Sequence, residues 1–169
     1  MNTPADLRTT RMPSPIGTLQ IFADTHGIRA ITMPGQPLAE RLLPQSVGDD
    51  AGLRPVREQL AAYFAGELRD FDVDLRPQGT EFQQRVWAAL TEIPFGETTT
   101  YGELAQRIES PTASRAVGAA NGRNPISILV PCHRVVGKDG TLTGYAGGLP
   151  AKQWLLDHER LHRKAPALA

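Results

Sequence analysis

The segment Arg76-Pro77-Gln78-Gly79 divides the chain into two stretches with different apolar periodicity, and this break limits the possible folds most. Before it, the short apolar runs Thr18 to Ala23 and Ile28 to Met33 flank Thr25-His26-Gly27 and predict a β-hairpin. Pro34 to Asp50, rich in proline, glycine and polar residues, predicts a loop. Leu53, Val56, Leu60, Tyr63 and Phe64 recur at helical spacing, with Gly66 as the stop, and Phe71, Val73 and Leu75 alternate with aspartates as in a half-buried strand. After the break the pattern is helical. Thr80 and Gln83 form a capping-box signature, and Phe82, Val86, Ala89 and Leu90 share one face that ends before Pro94. Thr100 begins a helix from Tyr101 to about Ile108, Glu109-Ser110-Pro111 breaks it, and Thr112 caps another running to about Asn121. A last helix covers about Pro150 to Leu161, with Trp154, Leu155 and His158 on its packing face. The expected class is α+β: a small N-terminal mixed α/β domain (short sheet plus helix) at residues 1–76, then a mostly helical C-terminal domain at 80–169.

With 169 residues and 40% apolar content the chain can bury a core without covalent staples. It needs to, because Cys132 is the sole cysteine, which excludes an internal disulfide and any multi-cysteine zinc site. Met1 to Pro13 has charges and prolines but no apolar stretch, so neither a signal peptide nor a membrane span is expected, and the cytoplasm is the expected location.

A net charge of zero argues against a strongly basic nucleic-acid binder, but the charge is unevenly placed. No acidic residue lies between Ser110 and Lys138, whereas Arg115, Arg123, Arg134 and Lys138 are basic, and Cys132 falls inside this window. Such a surface suits phosphates and favours a thiolate; a chance gap among mixed charges is the plainer explanation. Tyr101 to Asn121 has the outline of a helix-turn-helix, which many core helix pairs share. Cys132 follows the apolar run Ile126 to Val130 and Pro131, precedes His133, and is followed by a glycine-rich loop containing Tyr145. It reads either as a buried inert thiol or as a nucleophile whose proton the histidine removes.

Pro131-Cys132-His133-Arg134-Val135-Val136, preceded by Asn124-Pro125 and followed by Thr143-Gly144-Tyr145-Ala146-Gly147-Gly148, resembles the active-site signature of methylated-DNA–protein-cysteine methyltransferases, the O6-alkylguanine-DNA alkyltransferases, of the bacterial single-polypeptide type. The likeness is strong over residues 80–160; the first 79 match only in size and outline. It implies that Cys132 accepts the alkyl group, and that His133 links the thiol through a water to the carboxylate of Glu159. It further implies that Asn124 ties the adjoining turn and that Tyr101 assists at the base edge. Arg115 is the implied finger residue, with Ser114 and Ala116 beside it toward DNA, and Tyr145, Ala146, Val135 and Lys152 are implied around the base. Taken singly, Glu159 and Lys152 could be solvated helix charges, Tyr101 a core aromatic, Arg115 a surface charge and Asn124 an ordinary turn residue.

The implied reaction is irreversible and stoichiometric transfer from O6-alkylguanine, less so from O4-alkylthymine, in double-stranded DNA. Displacement at a saturated carbon needs a soft nucleophile rather than an oxyanion hole. The base must leave the stack to reach the sulfur, and small residues on the Arg115 helix would let its backbone approach the minor groove closely. The thioether product resists water, so each molecule acts once. A monomer without cofactor or metal is expected, since the first half offers only His26 as a soft ligand. Two other readings stay open here: a non-catalytic binder of alkylated DNA, and a thiol hydrolase built on Cys132, His133 and Glu159.

Overall fold

The computed structural model describes residues 6–163. The N-terminal part is a four-stranded sheet ordered β3-β2-β1-β4, from β1 (Arg8–Met12), β2 (Leu19–Ala23), β3 (Ile28–Thr32) and β4 (Val47–Gly48). β1 pairs antiparallel with β2 from Arg8 opposite Ala23 to Met12 opposite Leu19; β2 pairs antiparallel with β3, and β4 lies parallel to β1. The predicted hairpin joins β2 to β3, where the Asp24 carboxylate accepts from the amides of His26 and Gly27. Between β3 and β4 lies the short helix α1 (Pro37–Leu42), and α2 (Arg54–Phe64) covers the sheet with Val56, Leu60 and Tyr63 buried.

Three expectations change in this half. β1 was not foreseen, although Thr9, Thr10 and Met12 are buried, because its threonines and arginines carry little apolar signal. The expected loop at 34–50 contains α1 and β4; α1 buries no residue, so it has no apolar stripe to reveal it. Conversely, Phe71 to Leu75 is not a strand. Its alternating burial is real, but its ladder is a single bridge from Leu75 to Ile28, with the Ile28 amide on the Asp74 carbonyl at 2.8 Å.

The C-terminal part is mostly helical. α3 (Glu81–Leu90) carries the full Thr80/Gln83 capping box, and Trp87 donates its indole N–H to the Ala120 carbonyl at 2.8 Å. α4 (Tyr101–Arg107) starts from a second capping box, Thr100 with Glu103, and ends where Glu109 adopts φ 61°. The next helix, α5 (Ser114–Gly122), begins later than expected and has Ala113 rather than Thr112 at its N-cap, because a turn from Ser110 to Ala113 fills the gap. The pair β5 (Thr99–Thr100) and β6 (Val135–Val136) is parallel, and α6 (Leu149–His162) closes the chain over it.

The two parts share one apolar core, from Met12 and Tyr63 to Val130, Cys132 and Leu155. The decisive contact is at the sheet edge. β3 pairs with the segment leading to the cysteine: the Ile31 amide donates to the Pro125 carbonyl at 2.9 Å, and the Ser127 amide to the Ile31 carbonyl at 3.2 Å. Among the described residues no helix is long and apolar enough to cross a membrane.

Candidate active site

From that edge the chain reaches Cys132 through two tight turns. Leu129 N–H bonds the Ser127 carbonyl at 2.9 Å across Ile128, whose φ of 75° is the rare, strained γ-turn geometry for a β-branched residue. The Cys132 amide bonds the Val130 carbonyl at 2.7 Å across Pro131, at φ −79° and ψ 63°, the relaxed inverse γ-turn. Asn124 holds both turns. Its Nδ2 donates to the carbonyls of Val130 (2.8 Å) and Ile126 (3.4 Å), and its Oδ1 accepts from the Ile126 amide at 3.0 Å. Asn121 adds a bond to the Cys132 carbonyl.

Cys132 opens a single 3-10 turn, Cys132–Arg134, and is only 4% exposed. Burial pushes its thiol up, while a hydrogen bond from Asn124 and the charge of Lys152 act the other way. The resting sulfur is therefore a protonated thiol, not the thiolate that a basic neighbourhood implied.

His133 is fully buried and directs Nε2 to Glu159 Oε2 at 2.7 Å. Burial lowers its pKa against the pull of Glu159, so the ring is neutral, Nε2 carries the proton, and Nδ1 is left as a lone pair. That Nδ1 is buried with no partner in the protein. Glu159 also accepts from Arg134, Tyr63 and Gly96. Arg134 gives Nε to Oε1 at 2.8 Å and Nη2 to Oε2 at 3.0 Å, Tyr63 gives its hydroxyl to Oε2 at 2.6 Å, and the Gly96 amide reaches Oε1 at 3.3 Å. Burial alone would raise this carboxyl, but His133 and Arg134 outweigh it and hold it well below the usual carboxylate range.

Arg134 is thus not part of an electropositive surface, since its charge is spent inside on Glu159 and the Ile93 carbonyl. Lys152, whose alternative was a charge on an exposed helix face, is fully buried. Its ammonium bonds the carbonyls of Val135 (2.6 Å) and Thr143 (3.1 Å), so it ties the turn after Cys132 to the glycine loop from inside the protein. The Val135 side chain is also fully buried, and its carbonyl accepts from the Lys152 ammonium.

Tyr101 bonds the Thr143 hydroxyl at 2.6 Å and thereby links α4 to the glycine loop. The Tyr145 ring is half-buried, with its hydroxyl sealed in beside Ser127 without a well-formed hydrogen bond, and Ala146 next to it is exposed. On α5, Arg115, Ala116, Ala119 and Gly122 are exposed at helical spacing, and Ser114 is half-buried. On the flank of that face, next to Arg115 and Gly122 at helical spacing, Gly118 lies beside the Tyr101 ring.

Cys132, His133, Glu159 and Asn124 therefore converge, whereas Arg115, Ser114 and Ala116 lie apart on the α5 surface. Tyr63, Ser127 and the role of Arg134 escaped the sequence reading. Tyr63 was legible only as one of several apolar positions on its helix, though a buried tyrosine always raises the question of where its hydroxyl goes.

Two family descriptions match the chain: the 6-O-methylguanine DNA methyltransferase ribonuclease-like domain over residues 7–77, and its DNA-binding domain over residues 81–161. A methylated-DNA–protein-cysteine methyltransferase of Methanosarcina acetivorans is 55% identical over 86% of this chain and 94% of its own length. One of Mycobacterium bovis is 49% identical over 91% and 92%. The crystal structure of Mycobacterium tuberculosis O6-methylguanine methyltransferase superposes with a TM-score of 0.86 at 46% identity, covering 96% of each chain. A structure of the Mycobacterium tuberculosis protein in complex with DNA gives 0.82 at 48% identity, covering 95% of each. The chain belongs to the methylated-DNA–protein-cysteine methyltransferase family.

Proposed function

We propose that the protein repairs alkylated DNA directly, moving the alkyl group of O6-alkylguanine, and less readily of O4-alkylthymine, onto Cys132. It works on duplex DNA as a cytoplasmic monomer and is consumed by one turnover. The observation that carries this reading is His133, the residue after the one cysteine, pinned through Nε2 to the buried Glu159 carboxylate with its Nδ1 left without a partner in the protein. The DNA-bound state of the Mycobacterium tuberculosis relative supports DNA as the partner.

In this reading the base is everted, and Arg115 on the exposed face of α5 fills the space it leaves. Bare alanine and glycine positions on that face, with Ser114 at its start, let the helix backbone come close to the minor groove. Tyr145, Ala146 and Thr143 wall the base, and Lys152 and Asn124 keep the walls and the cysteine turn in register. The thiol proton passes through a water to His133 Nδ1, and Glu159 stabilises the resulting imidazolium. Sulfur then attacks the alkyl carbon; the S–C bond forms as the C–O6 bond breaks, its electron pair returns to guanine, and Tyr101 offers a proton at the base edge. Because burial raises the thiol, His133 has to take its proton before sulfur attacks.

Mass spectrometry of the intact protein after mixing with duplex DNA containing O6-methylguanine tests the proposal. The expected result is a gain of one methyl group on the peptide holding Cys132. An unchanged mass with retained DNA binding would instead identify a binder of damage. Cys132→Ser should bind the duplex and transfer nothing.

A further inference from the structure

Tyr63 belongs to the N-terminal domain, yet α6 grips it at both ends. Its hydroxyl donates to Glu159 Oε2 at 2.6 Å, and its backbone carbonyl accepts from Nε2 of His158, the preceding residue of α6, at 2.7 Å. The side chain is fully buried, with the rings of Phe64, Phe71, Phe95 and His158 around it. Packing alone would be met by phenylalanine. The hydroxyl, however, lands on the same oxygen that His133 uses, and a short bond to a carboxylate is among the stronger hydrogen bonds in proteins.

We propose that Tyr63 is a positioning residue for alkyl transfer: its hydroxyl fixes the Glu159 carboxylate and through it the orientation and protonation of His133. The N-terminal domain then completes the proton relay as well as bracing the sheet edge behind Cys132. Burial and the neighbouring carboxylate keep this phenol protonated, so it acts as a donor throughout the working pH range. Oε2 also receives Arg134, so with Tyr63 in place its remaining basicity toward His133 is limited. Deleting the hydroxyl leaves Glu159 a stronger acceptor, which makes the imidazolium of His133 more stable. The groups that face the histidine and carboxylate are Tyr63 from α2, Cys132 and Arg134 from their own turn, Tyr145 from the loop, and Lys152 and His158 from α6.

The inference rests on the transfer chemistry proposed above, and Tyr63→Phe in the full chain tests it. Single-turnover transfer from duplex DNA bearing O6-methylguanine should fall about threefold on the acid side of neutrality, where more of His133 is already protonated and unable to take the thiol proton, with duplex affinity unchanged. Its acid limb should move to higher pH by about half a unit or more. Nitrogen NMR of labelled imidazoles provides a readout that does not depend on activity. Unaltered protein should show His133 protonated at Nε2 alone, and Tyr63→Phe should keep that tautomer but take up the second proton at higher pH. An unmoved acid limb together with an unmoved His133 signal overturns the proposal, even if Tyr63→Phe is slower or less stable. If the unaltered protein transfers nothing, the underlying reading falls and takes this one with it; a change confined to the variant separates the two.

Discussion

Arg134 and Glu159 meet through two parallel hydrogen bonds, at 2.8 Å and 3.0 Å, inside the protein and one residue removed from the histidine beside the thiol. A bidentate guanidinium–carboxylate pair fixes both groups in a plane. Here that plane holds Glu159 Oε2 in front of His133 Nε2, and the remaining guanidinium nitrogen anchors the assembly to the Ile93 carbonyl ahead of β5. The signature arginine therefore spends its hydrogen bonds inside the protein, on Glu159 and the Ile93 carbonyl.

Removing that arginine strands a charge. Arg134→Met keeps the apolar stem but leaves Glu159 ionised and without its cation, a loss of about 3–5 kcal/mol. Urea denaturation measures it, and a change below about 1 kcal/mol would show that His133, Tyr63 and the Gly96 amide suffice to hold the carboxylate.

The pH dependence of stability follows from three groups that all act in the same direction. Glu159 has a folded pKa below its unfolded value, so its contribution is present above about pH 5 and lost as the pH falls further. His133 and His158 are lowered by burial, so the unfolded chain binds more protons than the native one as the pH drops through about 6.5. The urea midpoint should therefore decline from pH 7 to pH 5 and more steeply below. His158→Gln, which keeps a donor for the Tyr63 carbonyl, should flatten the first part of that decline. A midpoint constant from pH 7 to pH 5 would contradict neutral buried histidines.

What could be read from the sequence was whatever has a local cause. The Thr80/Gln83 box, the α2 and α6 periodicities and the β2–β3 hairpin are settled by side chains within a few residues of one another, and all are present. The cysteine signature was legible because Cys132 and His133 are neighbours, and Glu159 and Asn124 followed from family resemblance. Tyr63 lies 96 residues from Glu159, and no periodicity encodes that meeting. Lys152 and Arg134 misled for the opposite reason: charge in a sequence implies solvent until tertiary structure supplies buried partners. β1 was invisible because its threonines point inward to side-chain hydrogen bonds, such as Thr9 to the Ile21 carbonyl.

Thiol reactivity should reveal the protective burial of Cys132. Alkylation by iodoacetamide at neutral pH is expected to be slower than that of free cysteine and to rise only as the pH passes the ordinary thiol range of about 8.5. Lys152→Met removes a charge that favours the thiolate and frees the Val135 and Thr143 carbonyls. It should slow the reagent further and cost about 2–3 kcal/mol of stability. Reaction as fast as free cysteine at pH 7 would mean that the thiol is already activated without substrate.

Arg115 offers the cleanest separation of DNA handling from chemistry. It is exposed on the first turn of α5, and replacing it leaves the hydrogen bonds among His133, Arg134, Tyr63 and Glu159 in place. Arg115→Ala should change stability by no more than about 0.5 kcal/mol. Transfer from duplex DNA should slow at least tenfold, because nothing then fills the gap left by an everted base and the cost of unstacking, a few kcal/mol, is no longer offset. Transfer from the free O6-alkylguanine base, which has no stack to leave, should proceed at the unaltered rate. Comparing the two substrates on one variant decides the point: equal slowing on both would place Arg115 in the chemistry of the pocket, and equal rates on both would leave α5 without a part in extracting the base.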